Sequence, residues 1–289
     1  MDQPYSDGYW TSPDDLTLHY RDYAGPEDAA SRAPVICMHG LTRNARDFAP
    51  LAEHIAQHRR VIVPEMRGRG LSDYAKDSAT YNPLTYVGDV AALLAEQKIE
   101  RFVAIGTSLG GLMTMLIAAT DPSKIVGAVL NDIGPEVNPD GIERIKGYVG
   151  HGRSFPTWIH AARAIKETQE VAFPDFTLDD WIDAAKRGMV LGQNGRISFD
   201  YDMAIAEPFR IPGNAAPPDL WPAFEALGGA PVVLLRGELS DLLSDTTVQQ
   251  MKTRHPDMTA VTVARVGHAP TLDEPESRAA IDALLARVP

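Results

Sequence analysis

Between residues 101 and 119 the chain runs from Arg101-Phe-Val-Ala-Ile105 through Gly106-Thr-Ser-Leu-Gly-Gly111 into a second apolar stretch ending near Ala119. The first run has the length of a buried strand and the last that of a helix, with a corner of small residues between them. Inside the corner, Gly106-Thr-Ser108-Leu-Gly110 carries the G-x-S-x-G pattern in the strand-to-helix setting that gives the pattern meaning. An ordinary serine hydroxyl is a poor nucleophile. A strained turn exposes its oxygen and leaves the first N–H groups of the helix free beside it. Gly106 and Gly110 remove side chains where strand and helix cross closely. The simpler reading makes Ser108 a helix N-cap, but it leaves the flanking strand and helix pattern as coincidence.

A nucleophilic serine needs a histidine base, and the histidine needs a carboxylate to orient it. Downstream, Ala230-Pro-Val-Val-Leu-Leu235 reads as a buried strand and leads into Arg236-Gly-Glu-Leu-Ser-Asp241. A further strand pattern, Thr259-Ala-Val-Thr-Val-Ala264, leads into Val266-Gly-His-Ala-Pro270. Ser108, Asp241 and His268 therefore each lie shortly beyond a strand's C-terminal end, and in a parallel sheet those ends share one ligand-binding edge. The expected triad is Ser108, Asp241 and His268. Glu238 and Asp245 are rivals for the acid within a turn of Asp241. Asp132, which follows the strand Val126-Gly-Ala-Val-Leu130, is the nearest alternative. Among the eight histidines, His268 alone combines a preceding strand with a preceding glycine. His151 and His160 sit in a middle segment where a pocket is expected.

Acyl transfer passes through a tetrahedral oxyanion that needs preorganised N–H donors. Leu109, directly after the serine, supplies one expected donor. The other is assigned to the loop His39-Gly40-Leu41-Thr42 after the strand Ala33–Met38, most naturally Leu41, with a register uncertainty of one residue. His39 and Gly40 of this loop, with Trp158 and Met189 of the middle segment, are the expected substrate contacts.

Five elements together, His39-Gly40, Arg67-Gly-Arg-Gly-Leu-Ser-Asp73, Gly106–Gly111, Gly237-Glu-Leu-Ser-Asp241 and Gly267-His268, resemble the α/β-hydrolase superfamily from about residue 15 to the end. The resemblance implies a mostly parallel eight-stranded sheet flanked by helices, with an inserted helical cap. Ser108 at the corner separates the chain from epoxide hydrolases and haloalkane dehalogenases, which carry Asp there. It looks closest to the capped enol-lactonases, carboxylesterases and carbon–carbon bond hydrolases.

The organisation along the chain agrees. A short N-terminal hairpin is expected, with Ser12–Asp15 as its turn and Leu16–Tyr20 as its second strand. Residues 1–134 read as the first part of the core and 135–217 as a helical cap with helices near 139–149, 156–170 and 178–191. Residues 218–289 read as the second part of the core. At 289 residues with 44% hydrophobic content, the chain is long enough for one such domain plus an insertion.

A formal net charge of −12 argues against nucleic acid or an anionic membrane as partner. The N-terminus, Met-Asp-Gln-Pro, lacks the basic and apolar regions of a signal peptide. With one cysteine, Cys37, no internal disulfide is possible, and a cytoplasmic setting fits. No metal or other cofactor is expected, and the chain is expected to act as a monomer or homodimer on a small molecule.

Competing motifs fail. Gly68-Arg-Gly70 lacks the third small residue of a dinucleotide fingerprint, and Leu112 stands where a P-loop needs lysine. Arg67 and Arg69 are weighed as holders of a substrate carboxylate, with a salt bridge or solvated charge as the plainer reading. The expected function is hydrolysis of a small carboxylic ester or lactone. Carbon–carbon bond hydrolysis, acyl transfer or a lyase step by the same triad, and ligand binding without turnover, stand as alternatives.

Overall fold

The computed structural model describes residues 3–210 and 218–289. Strands β1 (Ser6–Thr11) and β2 (Thr17–Tyr23) form the expected antiparallel hairpin. Strand–helix alternation follows through β3 (Val35–Met38), α1 (Ala49–Ile55), β4 (Val61–Pro64), α2 (Pro83–Glu96), β5 (Phe102–Thr107), α3 (Leu109–Thr120) and β6 (Ile125–Asn131). The chain then leaves the sheet. It forms α4 (Pro139–Lys146), β7 (Ser154–Phe155), α5 (Trp158–Gln169), α6 (Leu178–Gly188), β8 (Met189–Leu191), β9 (Ile197–Phe199) and the single turn α7 (Glu207–Arg210). It returns through α8 (Trp221–Glu225) to β10 (Val232–Gly237), α9 (Asp245–Arg254), β11 (Met258–Val263) and α10 (Pro275–Leu285).

The eight core strands pair in the order β1-β2-β4-β3-β5-β6-β10-β11. Only β1–β2 and β2–β4 are antiparallel. Strands β3 to β6 are buried on both faces because helices cover both sides, so they read in sequence as continuous apolar runs. Successive side chains point to opposite faces. Ile36, Met38, Ala104, Leu130 and Leu234 therefore enter one core layer, and Val35, Cys37, Val103, Val129 and Leu235 the other. Helix starts follow local chemistry. Asn82 accepts from Thr85 N–H ahead of Pro83, and Thr177 and Asp180 cap α6 reciprocally.

Register brings the strand ends together. Met38 pairs with Gly106, and Asn131 pairs with both Thr107 and Leu235. The residues that follow, His39, Ser108, Asp132 and the loop after β10, consequently emerge side by side at one edge of the sheet.

The segment between β6 and α8 departs from a purely helical insertion. Helices α4, α5 and α6 fall near the expected places, but α6 ends at Gly188 and the backbone turns extended at Met189. A small antiparallel sheet, β7-β9-β8, follows. Its strands are two or three residues long, too short for alternation to register as a sequence pattern. The expected end of this segment at residue 217 lies outside the described residues. Several contacts hold the segment over the sheet edge. Arg46 donates to the carbonyls of Arg187 and Met189 and to Asp200, Gly267 N–H donates to Ala172 O, and Arg144 pairs with Asp241. No helix among the described residues is long and apolar enough to cross a membrane.

Candidate active site

Ser108 is the residue between β5 and α3, and its backbone sits at φ 51°, ψ −111°. That left-handed conformation is costly for a residue with a Cβ and persists because its surroundings fix it. Ser108 N–H donates to Asn131 O, and Asn131 Nδ2 donates to Thr107 Oγ1 and Pro270 O, tying β5, β6 and the loop carrying His268 into one unit. The close crossing needs both glycines of the corner. A Cβ on Gly110 would lie 1.9 Å from Met38 O, and one on Gly106 would lie 2.3 Å from Gly110 C.

His268 Nε2 is 2.9 Å from Ser108 Oγ, and Nδ1 is 2.8 Å from Asp132 Oδ2. A carboxylate accepts only, so Nδ1 carries the proton toward Asp132 and Nε2 is left to accept from the serine hydroxyl. Asp132 is fully buried. Its Oδ1 accepts from Gly237 N–H at 2.9 Å and its Oδ2 from Ser240 Oγ at 2.6 Å.

Asp241, the acid expected from sequence, does not reach the histidine. Its carboxylate is held by Arg144 of α4 in a two-point ion pair, and that hydrogen bond holds its pKa below the usual aspartate value. The end of β10 and the loop after it thus donate to Asp132, through Gly237 N–H and Ser240 Oγ, while Asp241 turns to Arg144. A signal for Asp132 was present in the sequence. It is the first residue after its strand, as Ser108 is after β5, whereas Asp241 stands four residues past β10.

Leu41 lines the same cavity as Ser108, and Leu109 directly follows the serine. Leu109 is the first residue of α3, and neither backbone N–H has a hydrogen-bond acceptor among the described residues. Arg69 fixes the Leu41 peptide by donating from Nε and Nη2 to Leu41 O at 2.9 and 2.8 Å. Arg69 is therefore a positioning residue that the sequence weighed as a substrate contact. Arg67 is buried between Asp14 and Asp89 and is likewise structural.

A cavity of about 480 Å³ opens over Ser108 and His268, between the sheet edge and the inserted segment. Gly40 and Leu41 line it, and so do His151, Phe155, Trp181 and Tyr201. Three of the expected substrate contacts do not. His39 is fully buried, its Nδ1 on Gly40 O and its Nε2 accepting from Met66 N–H. Burial, reinforced by the nearby Arg69, pushes its pKa down to about 4, so it braces the loop as a neutral ring. Met189 is buried in the small core of the inserted segment and Trp158 packs against that core. Their apolar faces were legible, but not the direction each points. His160 is exposed and bonds Thr157. Cys37 is buried in β3, where desolvation pushes its thiol pKa far up. Among the described residues no group of three or more His, Cys, Asp or Glu is placed to hold a metal ion.

Residues 35–281 match the alpha/beta hydrolase family. A 3-hydroxybutyrate-oligomer hydrolase of Cupriavidus necator is 37% identical over 268 residues, covering 89% of this chain and 90% of its own. A 2-(acetamidomethylene)succinate hydrolase of Mesorhizobium japonicum is 26% identical, covering 81% of each chain. The crystal structure of an α/β hydrolase from Novosphingobium aromaticivorans superposes over the full length of both chains with a TM-score of 0.95 at 58% identity. With the sheet order, the serine corner and these matches in agreement, the chain belongs to the α/β hydrolase family.

Proposed function

We propose that this hydrolase cleaves a small carboxylic ester through an acyl-enzyme intermediate, with Ser108 as nucleophile, His268 as general base and Asp132 as the orienting carboxylate. The observation that carries this reading is the continuous relay Ser108 Oγ–His268 Nε2 and His268 Nδ1–Asp132 Oδ2, at 2.9 and 2.8 Å, on the floor of the cavity. His268 takes the serine proton as the oxygen attacks the ester carbonyl. The oxyanion that forms is met by the N–H groups of Leu41 and Leu109, the latter at the positive end of α3. When the intermediate collapses, the proton passes from His268 to the leaving alcohol. Water, deprotonated by the same histidine, then releases the acid. No step calls on a metal or organic cofactor. The Cupriavidus relative's name favours linear esters of short hydroxyacids over lactones as the substrate class.

Turnover of 4-nitrophenyl butyrate tests the reading. Ser108→Ala should lower kcat by roughly 10⁴- to 10⁶-fold, and His268→Ala by about as much, because the two act as one unit. An organophosphonate ester should add once per chain, at Ser108. Retention of most activity by Ser108→Ala, or labelling at another residue, would overturn it.

A further inference from the structure

The loop that carries the oxyanion donor also projects a guanidinium into the cavity. Arg43 N–H closes a turn onto Gly40 O, and its side chain lines the cavity together with Ser108. The point a Cβ on Gly40 would occupy is 3.4 Å from Arg43 Cγ and 3.9 Å from Ser108 Cβ, so the arginine stem and the nucleophile flank the same glycine. The guanidinium spends one edge within its own loop, where Nε and Nη2 donate to Asp47 at 2.7 and 2.5 Å. An arginine has five N–H donors in a fixed fork, and this pairing uses two. Nη1 has no hydrogen-bond acceptor among the described residues and is not among the buried unpartnered atoms. It packs against Gly188 at the buried end of α6, where a Cβ would lie 2.7 Å away, so the glycine leaves room for the guanidinium.

The cavity's carboxylates are otherwise engaged. Asp180 accepts from Thr177, Asp183 stands 3.7 Å from Lys186, and Asp273 pairs with Arg187 and Arg278. Tyr148 lines the same space. Burial raises the pKa of its phenol, against the opposing pull of Arg144 and Arg43, and so keeps an O–H donor beside the guanidinium. Asp47 braces Arg43 so that its second edge is preorganised for an oxyanion arriving with the substrate.

We propose that Arg43 is a specificity residue that binds a free carboxylate on the substrate, so that the enzyme prefers esters of acids bearing a second, ionised carboxyl group, or of hydroxyacids. This rests on the ester-hydrolase reading above. Two matched pairs test it. 4-Nitrophenyl hemiglutarate against its methyl ester places the charge on the acyl side, and 3-acetoxybutyrate against its methyl ester places it on the alcohol side. Wild type should favour the acid in at least one pair. In that pair Arg43→Gln should lower kcat/KM for the acid roughly 10- to 100-fold more than for the methyl ester, mainly through KM, and Arg43→Lys should recover part of the difference. Counting sites by organophosphonate labelling of Ser108 corrects for misfolded protein. Equal losses on acid and methyl ester, or no acid preference in either pair, would overturn the proposal while leaving the ester reading intact. Turnover of neither member of either pair would overturn the proposal, and the ester reading falls with it only if 4-nitrophenyl butyrate is not turned over either.

Discussion

Asp132 and Asp241 follow neighbouring parallel strands at the same edge of the sheet, and both lie close to His268. Yet their surroundings assign them opposite work. Asp132 has a side chain with 0% exposure and accepts from Gly237 N–H, Ser240 Oγ and the histidine. Asp241 is 38% exposed and is taken up by Arg144, which fastens α4 of the inserted segment to the core. Placement at the right edge is therefore not enough to make a carboxylate part of the relay. What decides is which donors the adjoining loops aim at it. The loop after β10 aims its backbone and a hydroxyl at Asp132 and turns its own aspartate away.

The largest expected effect breaks that comparison outright. Asp132→Asn should lower kcat by about 10⁴-fold with the fold intact, because an amide facing His268 Nδ1 favours the tautomer unable to take the serine proton. Asp241→Asn should cost less than about tenfold, since an exposed ion pair contributes little. Circular dichroism and kcat on 4-nitrophenyl butyrate check both variants. If Asp241→Asn were the more damaging of two folded variants, the geometry would have to rearrange before catalysis, and the acid would be Asp241 as the sequence suggested.

That reversal shows where sequence reasoning reached its limit. The serine corner was legible because its strand, glycines and helix are local, and each leaves a pattern within a few residues. His268 was legible for the same reason. Choosing between two post-strand aspartates depended on register, namely that Asn131 pairs with Thr107 and Leu235, and on a hydrogen bond spanning 108 residues from Ser240. Neither leaves a local trace. The loop after β3 was legible through His39-Gly40, but the direction of the His39 ring, into Met66 N–H and away from the cavity, was not. Arg43 went unremarked because an arginine followed four residues later by an aspartate reads as an ordinary helical ion pair. Only the cavity reveals its unused edge.

A smaller effect sharpens the same contrast. Ser240→Ala removes one donor from Asp132 without touching substrate, so kcat should fall by about tenfold while KM holds. Arg144→Gln, which removes the partner of Asp241, should leave kcat within a few-fold and register in thermal stability instead. Parallel steady-state and melting measurements on the two variants separate the roles. Equal effects of both on kcat would mean that the loop after β10 acts as one block and that the distinction between its two halves is false.

The smallest effect is a titration. Arg144 lowers the Asp241 pKa below its ordinary 3.8, so the folded state holds the ionised form more firmly than the unfolded chain does. The sign follows from linkage: the stabilisation is fully present above the unfolded value and is lost as pH falls through the folded one. For a pair this exposed, Asp241→Asn should lower Tm by only about 1–3 °C at pH 7. The difference should persist at pH 5 and shrink as pH falls below 3.8 and on through the lower folded value, where the wild-type carboxyl takes up its proton and resembles the amide. Added salt at pH 7 should shrink it as well. A difference that vanishes by pH 5, or that widens on acidification, would show that Asp241 is not held by Arg144 in solution. The contrast between the two aspartates would then rest on Asp132 alone.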